Sequence, residues 1–425
     1  MRREIPLPEP AIRETEARLY QGIQTAAPRI QRSHPLEMQI LRWCMKDSSL
    51  RTQVLRFIDC LPSLQSHQET LRHLKEYFPT QKMRLPPALR LGLAAARPGL
   101  FTGRLVAGAT QATASTMARL FIAGSTLEEA FHAIRRLEEQ GFQVSVDLLG
   151  EATVSQAEAD QYGQRYLELL EKWASDLSSP PHLSLKLSAL AFPFDPMDPE
   201  GAWRRIRPRL RAILQAAFNQ SGFVNIDMEQ FHLRDLTLRL TQQIMDEEFP
   251  KESRIGLVIQ AYLKDSEEVT RQMIRWARSR GAPITLRLVR GAYWDTEVIR
   301  SVQQNWPCPV YTRKSDTDLS FERLTDLLLE NHRQVRPAIG THNVRSIARA
   351  LVKAQELGVS KEDWECQVLY GIGESIQEAV LTLGVPVRIY CPVGDLLPGM
   401  AYLVRRILEN TSQSSFVAMS LDVAL

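Results

Sequence analysis

The sequence predicts an α/β fold, a (βα)8 barrel of the TIM type, preceded by an N-terminal helical arm. From Ser125 onward, short apolar segments alternate with helical segments, a pattern typical of a parallel sheet covered by helices. Eight apolar segments occur, and eight units close into a barrel. The other α/β arrangement considered is a doubly wound open sheet. No GxGxxG turn follows any predicted strand, which disfavours it.

The predicted strands are short and rich in aliphatic residues. They are Gln143–Leu149, His182–Leu190, Phe223–Met228, Ile255–Tyr262, Ile284–Arg290, Arg336–Thr341, Glu365–Tyr370 and Val385–Tyr390. Helical spacing of apolar residues predicts helices over Trp203–Phe218, Ser266–Arg280, Val344–Leu357 and Leu396–Glu409. A further helix should begin at Ser125 or Thr126, with Glu128 and Glu129 in its first turn, and end at Gly141.

The N-terminal region has a different pattern. Apolar residues recur at helical spacing over Leu36–Ile58, and Pro62 stops that helix. Proline-rich breaks follow at Leu85–Pro87 and Arg97–Gly99. We expect two domains: a helical arm over residues 1–100, and a barrel over residues 101–425 that includes the closing C-terminal helix. The arm carries no chemical motif, so its expected role is packing on the barrel or on a partner subunit.

Composition excludes several classes of function. The chain has 425 residues, 44% hydrophobic and 24% charged, and its net charge of +3 indicates no general affinity for polyanions such as nucleic acid. The five scattered cysteines fit reduced thiols in a cytoplasmic protein. No apolar run approaches the roughly 20 residues needed to span a bilayer. The expected location is the cytoplasm. Peripheral attachment to the inner face of the membrane is compatible with this expectation.

The stretch ITLRLVRGAYWD, from Ile284 to Asp295, is the most informative part of the sequence. It begins as a strand of alternating residues and then breaks at Gly291 into an aromatic pair. A buried strand rarely tolerates a charge, so Arg287 in its middle must face a polar group.

Polar residues recur at the ends of the other predicted strands. They are Glu151, Lys186, Asp227, Gln260, Thr341, His342, Asn343, Gln367 and Tyr390. In a barrel the carboxyl ends of the strands form one rim, where the chemistry lies. In the last helix Tyr402, Arg405, Arg406 and Glu409 share one face at helical spacing. This cationic face with an aromatic residue suits a small carboxylate.

The rim residues bear on three classes of function. A metal-dependent hydrolase needs a histidine pair near an early strand end, which this rim lacks, so we expect no metal. A Schiff-base aldolase needs a lysine on a strand, and Lys186 in LSLKLSAL is placed for it. A barrel without catalytic activity that binds a partner through the arm is a third reading. The glycines of YGIGE after the seventh predicted strand are a weak signal for phosphate.

Several motifs in this order resemble one family. LRLVRGAYWDTE, PVYTRK, THN, YGIGE, IYCPVG and AYLVRRILEN, with KLSAL, NID and VIQAY, closely resemble the FAD-dependent proline dehydrogenases, particularly that domain of the bifunctional proline utilisation proteins. The resemblance covers roughly residues 100–417, and WCMKDSSLRTQVLRFIDCLPSL in the arm resembles them weakly. It implies a distorted (βα)8 barrel with non-covalent FAD that oxidises L-proline to Δ1-pyrroline-5-carboxylate and passes electrons to a quinone. Oligomeric state is left open.

The resemblance also implies roles for residues. Arg287 would sit against the flavin N5, and Asp227 would support both the flavin and Tyr390. The other residues implied to hold the cofactor are Gln260, Val289, Gly291, Ala292, Tyr293, Trp294, Thr312, Arg313, Lys314, Thr341, His342, Asn343, Gln367 and Glu409. Those implied to hold the substrate are Lys186, Leu369, Tyr390, Tyr402, Arg405, Arg406 and Glu409. Glu151 would pair with Arg405 as a gate.

This chain departs from the family pattern at a few positions. Met228 and Gln230 flank Glu229 where the family usually has NIDAEE. Arg290 stands where lysine is common, and Tyr370 replaces a frequent histidine. None of these changes removes a residue that the resemblance makes catalytic.

Overall fold

The computed structural model describes residues 9–30, 48–64, 66–79, 87–96, 102, 104–110, 119–150 and 153–395. Within them, eight parallel strands form a closed barrel in which each strand pairs with its neighbours in chain order and β8 pairs with β1. The strands are β1 (Gln143–Leu148), β2 (His182–Leu185), β3 (Phe223–Ile226), β4 (Ile255–Gln260), β5 (Ile284–Val289), β6 (Val335–Gly340), β7 (Glu365–Leu369) and β8 (Val387–Val393). The predicted barrel is confirmed, and an open sheet is excluded.

Six strands match their predicted bounds to within two residues at each end, and the carboxyl ends of the other two, β2 and β8, differ by three residues or more. β2 ends at Leu185 instead of Leu190, because the chain turns into a short 3-10 helix over Leu187–Ala189. β8 continues to Val393 instead of stopping at Tyr390, because it pairs along the whole of β1, from Gln143 with Arg388 to Leu148 with Val393. Lys186 therefore follows a strand, whereas Tyr390 lies within one.

Nine described helices accompany the strands. The four described helices of the arm are α1–α4, and the nine helices that accompany the strands are α5–α13. They are α5 (Leu127–Glu139), α6 (Gln156–Asp176), α7 (Pro199–Asn219), α8 (Phe231–Glu247), α9 (Ser266–Arg280), α10 (Trp294–Gln304), α11 (Lys314–Glu330), α12 (Val344–Leu357) and α13 (Glu374–Thr382).

Local sequence signals explain several helix ends. Thr126 accepts a hydrogen bond from the backbone N–H of Glu129, whose carboxylate accepts one from Ser125, so α5 begins with a reciprocal cap as predicted. α9 and α12 have the predicted bounds, and each is followed by a glycine in the left-handed conformation. α7 begins four residues before the predicted start, because Asp198 caps it. The predicted helix Leu396–Glu409 lies outside the described residues.

The described part of the arm is helical. It contains α1 (Glu9–Ile30), α2 (Ser48–Cys60), α3 (His67–Tyr77) and α4 (Pro87–Ala95). Of the predicted helix Leu36–Ile58, the described portion lies in α2. α1 packs against α12 and α13, and its Ile12, Leu19 and Ile23 join the main hydrophobic core. No described helix has the length and apolar character needed to cross a membrane.

Polar side chains occupy the inside of the barrel. Along β2, Leu183 and Leu185 point to the helical layer, and Ser184 points inward, where it meets Ser145 of β1 and Arg287 of β5. Barrels of this kind usually fill this space with branched apolar side chains. The buried polar groups instead satisfy one another, and this network leads to the carboxyl ends of the strands.

Candidate active site

A cavity opens at the carboxyl ends of the strands. Its described lining consists of Lys186, Asp227, Met228, Val258, Gln260, Arg287, Val289, Arg290, Ala292, Tyr293, Gly340, Thr341, His342, Asn343, Gln367, Val368, Leu369 and Tyr390. Every predicted rim residue in the described part of the chain lines this cavity. Closure of the barrel brings them together from seven different strands and the segments that follow them, although they are far apart in the sequence.

Arg287 is the centre of the buried network. It is 5% exposed, and its guanidinium donates to Oδ1 of Asp227 at 2.7 Å and to Oγ of Ser184 at 3.0 Å. The hydroxyl of Tyr390 donates to Oδ2 of the same aspartate at 2.8 Å, and the Tyr390 ring lies 5.3 Å from the guanidinium carbon. Asn225 donates to Oδ1 of Asp227 at 2.9 Å. The expected contact between Asp227 and Tyr390 is present, and the polar group that Arg287 faces is Asp227.

Lys186 forms an ion pair that the sequence reasoning missed. Its ammonium is 3.0 Å from both carboxylate oxygens of Asp147, which is fully buried. Burial opposes the charge on Lys186, but the Asp147 carboxylate raises the pKa of Lys186 above its ordinary value. Burial likewise raises the pKa of Asp147 against the pull of the lysine. Because both oxygens contact the ammonium, we treat the pair as charged.

Two buried polar atoms of the lining have no hydrogen-bond partner among the described residues. They are Nε of Arg287, a donor, and Oε1 of Gln260, an acceptor. The amide nitrogen of Gln260 donates to the carbonyl oxygen of Glu229 at 3.0 Å, which fixes the side chain. Burying such atoms without partners is costly, so the cavity is suited to a ligand that both accepts and donates hydrogen bonds.

Arg290 lines the cavity beside the loop that follows β6. Its guanidinium donates to Asp318 at 3.0 Å, to the Thr341 hydroxyl at 2.7 Å and to the Ser346 hydroxyl at 2.9 Å. Asn343 accepts from the backbone N–H of Ser346 at 3.0 Å and so caps α12. The chain therefore uses Thr341 and Asn343 to shape the loop after β6, and these two residues also line the cavity.

The side chains of His342 and Gln367 are held by contacts with residues of β7. The Nε2 atom of His342 accepts a hydrogen bond from the backbone N–H of Leu369 at 3.1 Å, which defines the ring nitrogen that carries no proton. Gln367 donates to Glu365, which in turn pairs with Arg388 at 2.9 Å. The lining is thus supported by bonds from β7 and β8.

Some residues implied to bind the cofactor do not line the cavity. Trp294 donates from its indole to the carbonyl of Tyr311 at 2.8 Å, and Arg313 and Lys314 pair with Asp316 and Asp318, each at 2.9 Å. Thr312 and Gly291 are also outside the lining. Their roles stay predictions. Glu151, Tyr402, Arg405, Arg406 and Glu409 lie outside the described residues.

Sequence reasoning missed several residues of the site. Asp147 and Ser184 are opposite each other in the register of β1 and β2, and both are fully buried. The charge of Asp147 inside the otherwise uncharged segment QVSVDL was the available signal. Arg290 was noted only as a departure from the family pattern. Val258, Gly340 and Val368 gave no signal, because apolar residues on strands are expected everywhere in a core.

Among the described residues, no group of three or more histidine, cysteine, aspartate or glutamate side chains is arranged to hold a metal ion. The described lining provides fixed cations on Lys186 and Arg287, hydrogen-bond donors, and an aromatic wall at Tyr390. That arrangement fits an anionic substrate held against a planar polar group.

Comparisons with known proteins give two family matches. A family model described as proline dehydrogenase matches residues 130–419. A second, described as the proline utilization A N-terminal domain, matches residues 9–121.

Individual relatives differ in how much of their length is matched. "Bifunctional protein PutA" of Klebsiella aerogenes is 34% identical over 322 residues, which are 73% of this chain and 24% of that protein. "Proline dehydrogenase 1" of Bacillus subtilis (strain 168) is 32% identical over 301 residues, 71% of this chain and 89% of that protein. The chain thus spans 24% of the bifunctional relative and most of the single-function one.

A solved structure supports the same relationship. The crystal structure of proline utilization A from Bdellovibrio bacteriovorus, inactivated by N-propargylglycine, matches with a TM-score of 0.82 at 34% identity, over 96% of this chain and 42% of that one. The matching family model, the relatives and the closed barrel all agree. This chain belongs to the proline dehydrogenase family.

Proposed function

We propose that this chain is a flavoenzyme that oxidises L-proline to Δ1-pyrroline-5-carboxylate, the first step of proline catabolism, with FAD as the hydride acceptor. Family membership supports the reaction. The observation that carries the proposal to this chain is the cavity at the carboxyl side of the barrel. There Nε of buried Arg287 has no hydrogen-bond partner among the described residues, and the fixed cation of Lys186 lies on the same lining.

The unpaired atoms fit a flavin. An isoalloxazine ring has acceptors and a donor along one edge, and the cavity offers a buried donor on Arg287 and a buried acceptor on Gln260. We propose that Arg287, Gln260, Val289 and Tyr293 hold this ring without a covalent bond. When bound, the flavin supplies the hydride acceptor.

The substrate proposal rests on Lys186 and its neighbours. A proline carboxylate needs a fixed cation, and Lys186 stays protonated because Asp147 raises its pKa. Tyr390 and Leu369 supply the apolar wall for the ring. From the family resemblance, Arg405 and Arg406 would complete the carboxylate clamp, Tyr402 and Glu409 would lie beside the ring, and Glu151 would gate it through Arg405.

The described residues contribute to the reaction by position and charge. Asp227 pairs with the guanidinium of Arg287, so that a positive charge is in place where negative charge gathers during the reaction. Lys186 orients the substrate through its carboxylate, and the apolar wall excludes water from the ring.

The Lys186 aldolase is the weaker candidate. A lysine that forms a Schiff base must lose its proton, and enzymes assist this by lowering the lysine pKa. Here the carboxylate of Asp147 does the opposite, and both its oxygens bind the ammonium. The described geometry therefore favours a carboxylate clamp over a nucleophile.

The electron acceptor, location and domain division are parts of the same proposal. We propose a quinone-type acceptor, which would require reversible contact with the inner face of the membrane. We also propose that the arm comprises residues 1–100 and the catalytic barrel residues 101–425. The contact of α1 with α12 and α13 supports a docked arm.

The proposal is tested by proline-dependent reduction of a soluble quinone by the purified full chain incubated with FAD. We expect reduction, and we expect Lys186→Met to raise KM for proline by about tenfold or more, since a buried charge-assisted bond is lost. Lys172→Met is the control, because Lys172 pairs only with surface carboxylates among the described residues. A chain that cannot be loaded with FAD, or borohydride trapping of substrate on Lys186, would contradict the proposal.

A further inference from the structure

A chain of hydroxyl groups runs inside the barrel from Arg287 toward the amino end of β2. Ser184 Oγ lies 3.0 Å from an Arg287 terminal nitrogen, Ser145 Oγ lies 3.2 Å from Ser184 Oγ, and Nδ1 of His182 lies 3.0 Å from Ser145 Oγ. Both serines are fully buried, and His182 stacks on Phe223 at 4.5 Å between ring centroids. None of the proposed binding contacts uses these three residues.

Chemistry defines the donor at one end of this chain. A guanidinium can only donate, so Ser184 accepts from Arg287. Ser184 is in turn within hydrogen-bond distance of Ser145, and Ser145 of Nδ1 of His182, and in both of these contacts either partner can donate. Burial and the nearby cations Arg388 and Arg287 hold the pKa of His182 well below its ordinary value, which favours the neutral ring. Hydrogen bonds in such chains strengthen one another in a low-dielectric interior.

The backbone of Ser184 is held as firmly as its side chain. Its carbonyl accepts from the hydroxyl of Tyr166 at 2.7 Å, and its register places it opposite Asp147 of β1 and Asn225 of β3. Ser184 therefore gives Arg287 a fixed acceptor on one side. Asp227 gives a fixed acceptor on the other side, held by Asn225 and Tyr390.

We propose that Ser184 is a positioning residue for Arg287. Together with Ser145 and His182, it sets the orientation of the guanidinium and leaves Nε as the donor that no described residue engages. The inference rests on the proposed function, because it assigns a purpose to the orientation of Arg287. Asp227 alone would hold one terminal nitrogen and allow the guanidinium to turn about that contact. With two fixed acceptors at two nitrogens, the plane of the group is determined.

The test compares Ser184→Ala, Ser145→Ala and Thr241→Val in the full chain loaded with FAD. Thr241 is a buried residue of α8 whose hydroxyl donates to the carbonyl of Thr237 in the same helix, so Thr241→Val controls for the loss of a buried hydroxyl. We expect Ser184→Ala to lower kcat for proline by about tenfold with KM within about twofold, and Ser145→Ala to lower kcat by about threefold. We expect no change for Thr241→Val.

Crystal structures of the same variants without FAD give a readout that does not depend on activity. In Ser184→Ala we expect the Arg287 guanidinium to rotate away from its wild-type plane or to occupy two conformers. Unchanged kcat with an unchanged Arg287, or an equal loss in Thr241→Val, would overturn the inference. If Ser184→Ala does not fold, unchanged kcat in Ser145→Ala would overturn it.

The two proposals fail in different ways. A wild-type chain that neither binds FAD nor oxidises proline would contradict the proposed function. The orientation of Arg287 in the variant crystal structures would still decide whether Ser184 positions it.

Discussion

The hydroxyl of Tyr390 on β8 donates a 2.8 Å hydrogen bond to Asp227 after β3, and Arg287 on β5 donates to the other oxygen of that carboxylate at 2.7 Å. Strands β5 and β8 and the segment after β3 are thus joined by one buried carboxylate. The position of a cation inside the barrel depends on it.

The first prediction concerns this contact. Tyr390→Phe should reduce the free energy of unfolding by about 2 kcal/mol, since a hydrogen bond to a charged acceptor is lost. Asp227→Ala should cost about 3 kcal/mol or more, because Arg287 is left buried without its carboxylate. Urea unfolding of the FAD-free chain measures both. In the double variant the two costs should not add, because Tyr390 has lost its acceptor already; additive costs would show that the contact contributes nothing.

The second prediction concerns the ion pair between Lys186 and Asp147. Asp147→Asn should destabilise the FAD-free chain by about 3 kcal/mol, because a buried ammonium loses its only described carboxylate partner. Adding Lys186→Met should recover part of that loss, since the unpaired charge is then removed. A double variant less stable than Asp147→Asn alone would contradict the account of this pair.

The third prediction concerns the pH dependence of stability. Burial holds the pKa of His182 well below its ordinary value of 6.5, so the unfolded chain binds the proton first as pH falls. Stability should therefore be full above pH 6.5 and fall below it, by about 1 kcal/mol per pH unit from this residue, until the pH reaches the pKa in the folded chain. His182→Gln should flatten this part of the pH profile. Equal slopes for the two chains would refute the prediction.

The fourth prediction concerns the docking of α1 on the barrel. A Cβ atom at Gly22 would lie 2.9 Å from the Cβ of Ala379 on α13, so there is no room for a side chain. Gly22→Leu should weaken the docking by about 2 kcal/mol and speed tryptic cleavage after exposed Arg18. Gln24→Leu, at an exposed position of the same helix, is the matched control. Similar cleavage rates for both variants would show that α1 is not held by this contact.

The fold was predictable because its signal is periodic. Strand and helix alternate eight times, and the ends of α9 and α12 carry glycines that stop a helix. The ends of β2 and β8 were less predictable, because they depend on pairing with neighbouring strands. The apolar residues after Lys186 resemble a continuation of β2 in the sequence, but in the structure they form a 3-10 helix.

The site was predictable only in part. Polar residues at strand ends can be found from the sequence, because the barrel rule places them on one rim. Asp147 and Ser184 were not found, since their roles come from the register between β1 and β2. Trp294, Thr312, Arg313 and Lys314 were expected to bind the cofactor because two motifs resemble those of the family. Their positions depend instead on contacts such as that of Trp294 with Tyr311, which no local pattern reveals.

The most direct test of the central claim is the absorption spectrum of the purified chain loaded with FAD, recorded without oxygen before and after the addition of L-proline. The account predicts a flavin band that bleaches on addition of proline and returns when a quinone is added. A flavin band that proline leaves unchanged would contradict it.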